Sequence, residues 1–206
     1  MKKQTEMSLI LFCLISLSSP SVPFAQAWKP YDFKGTEHFK YDIHSTKNGK
    51  EEAGYLILDI EKKGEDKYKI SYESKLGDSE ASSSTTSSAD NLAGKLMMSM
   101  MMSGSEAGTV LGSTLFTQAM PMMFMGMTDF EVGSGWSRTE NGKKLSFKVE
   151  SKEKVAGLEG YKCVYREDGM VKYLQVIAPD VPLPLQTEMT DEDGSQYKAK
   201  LVEYRR

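Results

Sequence analysis

Ten of the chain's fourteen methionines fall between Met97 and Met127, within the stretch "KLMMSMMMSGSEAGTVLGSTLFTQAMPMMFMGM" that opens at Lys95. After Lys95 only Glu106 brings a charge into it. Thioethers at this density suit four uses. They are soft ligands for Cu(I), unbranched fillers of irregular apolar gaps, re-packing surfaces for flexible apolar ligands such as acyl chains, or part of a membrane span. Residues 107–127 are uncharged, but three Gly, three Thr and Pro121 make them weakly apolar for a span. For copper, the sulfurs stand among Leu96, Leu115, Phe116 and Phe124 rather than among polar residues that keep a metal reachable. The two histidines, His38 and His44, are six residues apart on one strand face, about 20 Å at about 3.3 Å per residue, so they do not share an ion. Plain core filling is a real alternative, although a well-specified core prefers Leu, Ile and Val. A pocket for a flexible amphiphile is the reading these residues favour.

Other reactive groups are sparse. The serines of "ASSSTTSS" lack a G-x-S-x-G elbow, and the chain has no H-E-x-x-H, no C-x-x-C and no Gly-rich phosphate loop. The acidic "TDEDGSQ" lacks the ligand spacing of a calcium loop and reads as a hairpin turn. Cys163 alternates with Tyr161 and Tyr165 and reads as a small buried apolar residue. The expectation is a non-catalytic protein with no cofactor and no metal site.

The N-terminus sets the compartment. Lys2 and Lys3 precede the apolar run "SLILFCLISL" and a small-residue exit ending "AQA" at Ala27. This is the pattern of a secretory signal peptide over residues 1–27, cleaved after Ala27, with a periplasmic destination. Phe12 before Cys13 is not the small residue a lipoprotein signal needs. Residues 28–206 are enough for one domain with its own core. They retain only Cys163, so that core forms without an internal disulfide. Formal net charge is −3 at pH 7, with Lys and Glu interspersed and no basic patch, which argues against nucleic acid.

The elements that position the methionines are mostly strands. In "EHFKYDIHST", Phe39, Tyr41 and Ile43 alternate with His38, Lys40, Asp42 and His44, and Asn48-Gly49 is a hairpin signal. "AGYLILDIEK" and "KYKISYES" follow, the second with Tyr68, Ile70 and Tyr72 on one side; "GDSEASSSTTSS" reads as a further strand. "LSFKVE", "YKCVYR", "MVKYLQVIA" and "SQYKAKLVEYR" continue the pattern, with turns at Asp168-Gly169 and Asp193-Gly194. Pro179, Pro182 and Pro184 mark "APDVPLPLQTEM" as irregular or sheet-edge chain. Between these sets, residues of about 90–127 read as a helical insertion. Asp90 is the expected N-cap, and Asn91, Lys95, Ser99 and Ser103 form one polar stripe. Gly104 breaks the helix; a second begins near Glu106, with Leu111, Leu115, Ala119 and Met122 on one face, and ends or bends at Pro121.

This order of elements, and above all "GLEGYKCVYREDGMVKYLQVIAPDVPLPLQTEM" (Gly157 to Met189), resembles the LolA-like superfamily of periplasmic lipoprotein carriers. The resemblance implies an incomplete, strongly curved antiparallel β-barrel with helices over its mouth, binding lipid or acylated protein. The arginine lock those carriers use between an N-terminal strand and the helical lid has no counterpart, since the first arginine after Trp28 is Arg138.

The fold expected is therefore α+β: a curved antiparallel sheet of seven to nine strands, with two central apolar helices covering its concave face. The expected function is lipid, lipoprotein or amphiphile binding for periplasmic transport or chaperoning, with a transient envelope-membrane partner. A methionine-rich copper protein, or an interaction domain whose methionines are core, are the alternatives. Leu92, Leu96, Met97, Met100, Met101, Leu111, Leu115, Met122, Met123 and Phe124 are assigned to the cavity lining, and Tyr41, Tyr68, Tyr72 and Phe147 to its floor.

Overall fold

A computed structural model describes residues 28–102 and 130–206. The expected signal peptide and the second expected helix lie outside the described residues. Ten strands form one sheet: β1 (Glu37–Lys47), β2 (Lys50–Lys62), β3 (Tyr68–Leu76), β4 (Ser79–Ser87), β5 (Gly135–Glu140), β6 (Lys143–Val155), β7 (Leu158–Glu167), β8 (Met170–Ile177), β9 (Gln186–Thr190) and β10 (Gln196–Arg205). The spatial order is β4-β3-β2-β1-β10-β9-β8-β7-β6-β5, antiparallel throughout and open at β4 and β5. Two up-and-down meanders are thus joined by β1 and β10. The protein is mostly β, with one short helix, α1 (Leu92–Met101), among the described residues.

Two of the ten strands exceed the sequence expectation. One is β5, turned into β6 by Asn141-Gly142, both with positive φ (51° and 79°), as a two-residue hairpin turn requires. The other is β9: the prolines stop at Pro184, so Gln186–Thr190 is free to donate and pairs on both sides, between β8 and β10. The helix start also differs. A 3-10 turn over Ala89–Asn91 precedes α1, Asp90 is not its cap, and Asn91 in the cap position makes no side-chain capping bond. The exposed N–H of Ala89 is met instead by Asp66 Oδ1, 3.2 Å away in the turn between β2 and β3.

Register links the meanders into rows of side chains on one face, because directly paired residues point the same way. One row runs Leu76, Gly54, Ile43, Ala199, Thr187, Gln175, Cys163 and Val149 from β3 across to β6. The next runs Ser45, Tyr197, Met189, Tyr173, Tyr165, Phe147 and Trp136 from β1 to β5. This is the inner face. Strands β10 and β6 stand four places apart, about 19 Å in a flat sheet, yet come within 8 Å Cα to Cα. The sheet therefore curls. Bulges at Lys40/Tyr41, Val149/Ser151 and Tyr165/Arg166 add the local twist and bend that curling needs.

Two apolar clusters fill the curl. The larger joins Phe39, Ile43, Leu58, Ile60, Ile70 and Leu185 with one stripe of α1; the smaller gathers Trp28, Phe130, Phe147, Val149, Cys163 and Ile177. A ten-residue helix is marginal alone. Burial of Leu92, Leu96 and Met100 stabilises α1 by about 1.5–3 kcal/mol each. Tyr72 Oη donates to Ser99 O at 3.0 Å and Lys95 Nζ to Thr86 O at 3.1 Å, which holds the helix over β3 and β4.

Two outcomes follow from this packing. A Cβ on Gly54 would lie 1.8 Å from the Lys75 carbonyl oxygen, whereas one on Gly64 meets nothing within 4 Å. Gly54→Ala should therefore cost about 2–3 kcal/mol in urea unfolding and Gly64→Ala almost nothing; equal midpoints would contradict the close approach of β2 and β3. Burial pushes the Cys163 thiol up to about 12. At pH 8 it should react with a disulfide reagent far more slowly than a free thiol and reach the free rate only in urea, because the thiolate is the nucleophile.

Candidate functional site

The inner face changes character across its width. Over β1–β3 it is aliphatic and aromatic, and Tyr41, Tyr68, Tyr72 and Phe147, the four floor residues assigned from sequence, are all buried on it. Tyr41 Oη donates to Pro184 O at 2.9 Å, which ties the proline segment down, and burial holds its phenol far above the ordinary tyrosine range. In the middle the face turns polar: Ser45, Thr187 and Gln175, on β1, β9 and β8, are all buried. Over β5–β8 it becomes aromatic again around Trp28, whose Nε1 donates to Val181 O at 2.7 Å. Trp28 and Phe130 meet edge to face with centroids 6.4 Å apart, and Phe130 stacks on Tyr161 at 6.0 Å.

Helix α1 covers the aliphatic end and presents two different apolar surfaces. Leu92, Leu96 and Met100, at 1%, 0% and 0% exposure, form the i, i+4, i+8 stripe and are wholly packed in the larger cluster. Met97 is half-buried. Met98 and Met102 point away from the sheet, 57% and 76% exposed. Met101 is the last residue of α1. The remaining sequence-assigned lining residues, Leu111, Leu115, Met122, Met123 and Phe124, lie outside the described residues.

Among the described residues four shielded side-chain polar atoms make no hydrogen bond: Ser87 Oγ on β4, and Tyr173 Oη, Gln175 Nε2 and Trp136 Nε1. The last three belong to the inner face of β5–β8. Sequence reasoning passed over them. The available signal was the alternation in "MVKYLQVIA", which gives Gln175 the same face as Tyr173. Burial raises the Tyr173 phenol well above its ordinary value, with Tyr31 and Cys163 adding to the effect. Cys163, likewise pushed up, is a neutral thiol near pH 7 and is not poised as a nucleophile.

Among the described residues the outer face carries most of the ion pairs, although Val164 and Val176 are buried on it. His38 Nδ1 lies 2.7 Å from Asp59 Oδ1 on β2, while His44 lines a shallow groove of about 420 Å³ with Thr46, Lys172, Glu188 and Lys198. A second depression, about 430 Å³, lies at the edge where Lys95 approaches Asp66, Lys67 and Ser87. Among the described residues no group of three His, Cys, Asp or Glu side chains could hold a metal, and no helix is long and apolar enough to cross a membrane. The inner face is thus apolar and packed at both ends, with a polar strip between them and unpartnered donors toward β5–β8.

Among solved structures the chain is similar to MucB in complex with MucA(peri), at 12% identity and a TM-score of 0.41 over 82% of this chain and 50% of that one. The Pseudomonas aeruginosa MucA/MucB complex gives 12% identity and 0.39, over 82% and 51%. A putative exported protein with a YmcC-like fold from Bacteroides fragilis gives 11% identity and 0.34, over 88% and 100%. The chain thus spans about half the length of the first two structures it matches. No family model matches the sequence, and no curated protein does.

Proposed function

We propose that this protein is an exported, non-catalytic binder of a lipid, a lipoprotein's acyl part or another amphiphile, serving its transport or chaperoning. The observation that carries the reading is the double apolar character of α1. Core filling accounts for Leu92, Leu96 and Met100, which have no surface left to bury. It does not account for Met98 and Met102, which leave their thioethers in water on the opposite side. An amphipathic helix of ordinary design carries polar residues there. Flexible unbranched side chains re-pack around acyl chains of varying shape at little cost, and Met98 and Met102 hold two of them open to such a ligand.

Native mass spectrometry of the protein purified from the periplasm without detergent tests this directly. An adduct with the mass of a phospholipid or lipopeptide is expected; a clean apo mass, or copper adducts alone, would overturn the reading. The helix faces separate in mutants. The Met98→Gln, Met102→Gln double variant should keep its unfolding midpoint and lose most of the co-purifying lipid. Met100→Ala should instead cost about 2–5 kcal/mol of stability.

A further inference from the structure

We infer that the inner face of β8 carries a docking point for a neutral carbonyl group, an ester or amide at the head of an acyl chain, held by Tyr173 Oη and Gln175 Nε2. The inference rests on the amphiphile reading above and gives it a chemical specificity. Tyr173 and Gln175 are two residues apart on one strand face, with Cα atoms about 6.6 Å apart at about 3.3 Å per residue. They are 6% and 2% exposed, and among the described residues neither polar atom has a partner. Buried polar groups are normally satisfied, and those left open call for a specific cause. Trp136 Nε1 is a third open donor three strands away in the row of Tyr173, via Phe147 and Tyr165.

All three atoms can donate, so the partner they fit is an acceptor. Its charge follows from the surroundings. The direct neighbours of Tyr173 are Tyr165 and Met189, and those of Gln175 are Cys163 and Thr187. None of these carries a charge at neutral pH, so neither a carboxylate nor a phosphate would find a counter-ion there. The raised Tyr173 phenol points the same way, since its cause is a desolvated setting that disfavours anions. Amphiphiles carry ester and amide carbonyls at the junction of chain and head group. A carbonyl oxygen has two lone pairs and accepts from both donors.

Three chain-matched probes test this on the lipid-stripped protein: methyl laurate, tridecane and laurate, followed by the fluorescence of Trp28 and Trp136. Methyl laurate should bind about tenfold tighter than tridecane, equivalent to about 1.4 kcal/mol, with laurate weaker than the ester at pH 8. Tyr173→Phe should remove most of the ester's advantage and leave tridecane unchanged. The carbonyl stretch of ¹³C-labelled methyl laurate should fall on binding to the wild type and fall less in Tyr173→Phe. The variant deletes a hydroxyl with no partner, so the unliganded protein should be at least as stable as wild type. Equal affinity for ester and alkane, or an ester advantage that survives both Tyr173→Phe and Gln175→Met, would overturn the carbonyl site while leaving amphiphile binding intact. A loss of apo stability in Tyr173→Phe would also overturn it, by showing that the hydroxyl is already satisfied. If tridecane and ester both fail to bind, the amphiphile reading itself falls and takes this inference with it.

Discussion

Strands β4 and β5 are neighbours in chain order among the strands and opposite edges of the sheet. The chain between them has to cross from one edge to the other. Nine strand spacings of about 4.8 Å would make a flat sheet about 43 Å wide. Both described ends of this crossing lie over the same face: α1 packs on Tyr72 at one side, and Phe130 joins Trp28 and Phe147 at the other. The curl turns that face inward, and the irregularities in the β1–β10, β6–β7 and β7–β8 ladders allow it.

Much of the β architecture is legible in the sequence because its determinants are local. The alternation of Phe39, Tyr41 and Ile43 gives one buried face in β1, and Asn48-Gly49 gives a tight turn. The hydroxyl-rich "ASSSTTSS" is a strand because it pairs along Tyr68–Leu76. What local pattern misses is decided by distant partners. Asp90 has the chemistry of a cap, but the free N–H is that of Ala89, and Asp66 of another hairpin reaches it first. The segment "QTEM" reads as edge chain because prolines precede it, yet none lies within the five residues that pair. Asn141-Gly142 carried a hairpin signal as plain as Asn48-Gly49, and β5 follows from it.

Leu92, Leu96 and Met100, assigned from sequence to a cavity lining, share one helix face and are buried in the larger apolar cluster. Periodicity cannot say whether such a stripe lines a space or fills it; here the sheet packs fully against it, and among the described side chains of this segment Met98 and Met102 are left outside. Alternation puts Tyr173 and Gln175 on one face of β8 and goes no further. A buried glutamine in a strand is unremarkable in sequence, and only the absence of a bonding partner, a property of the folded arrangement, singles it out.

The joint between the two meanders has a kinetic corollary. Strand β1 pairs along its length with β10, so residues such as Ile43 and Ala199 must meet before either row of the inner face is continuous. Contacts so far apart in the chain give the fold a high contact order, and loop closure over such distances is slow compared with forming any one hairpin. The β1–β10 ladder is therefore the sheet's longest-range pairing, and closing it costs more chain entropy than forming any of the hairpins it joins.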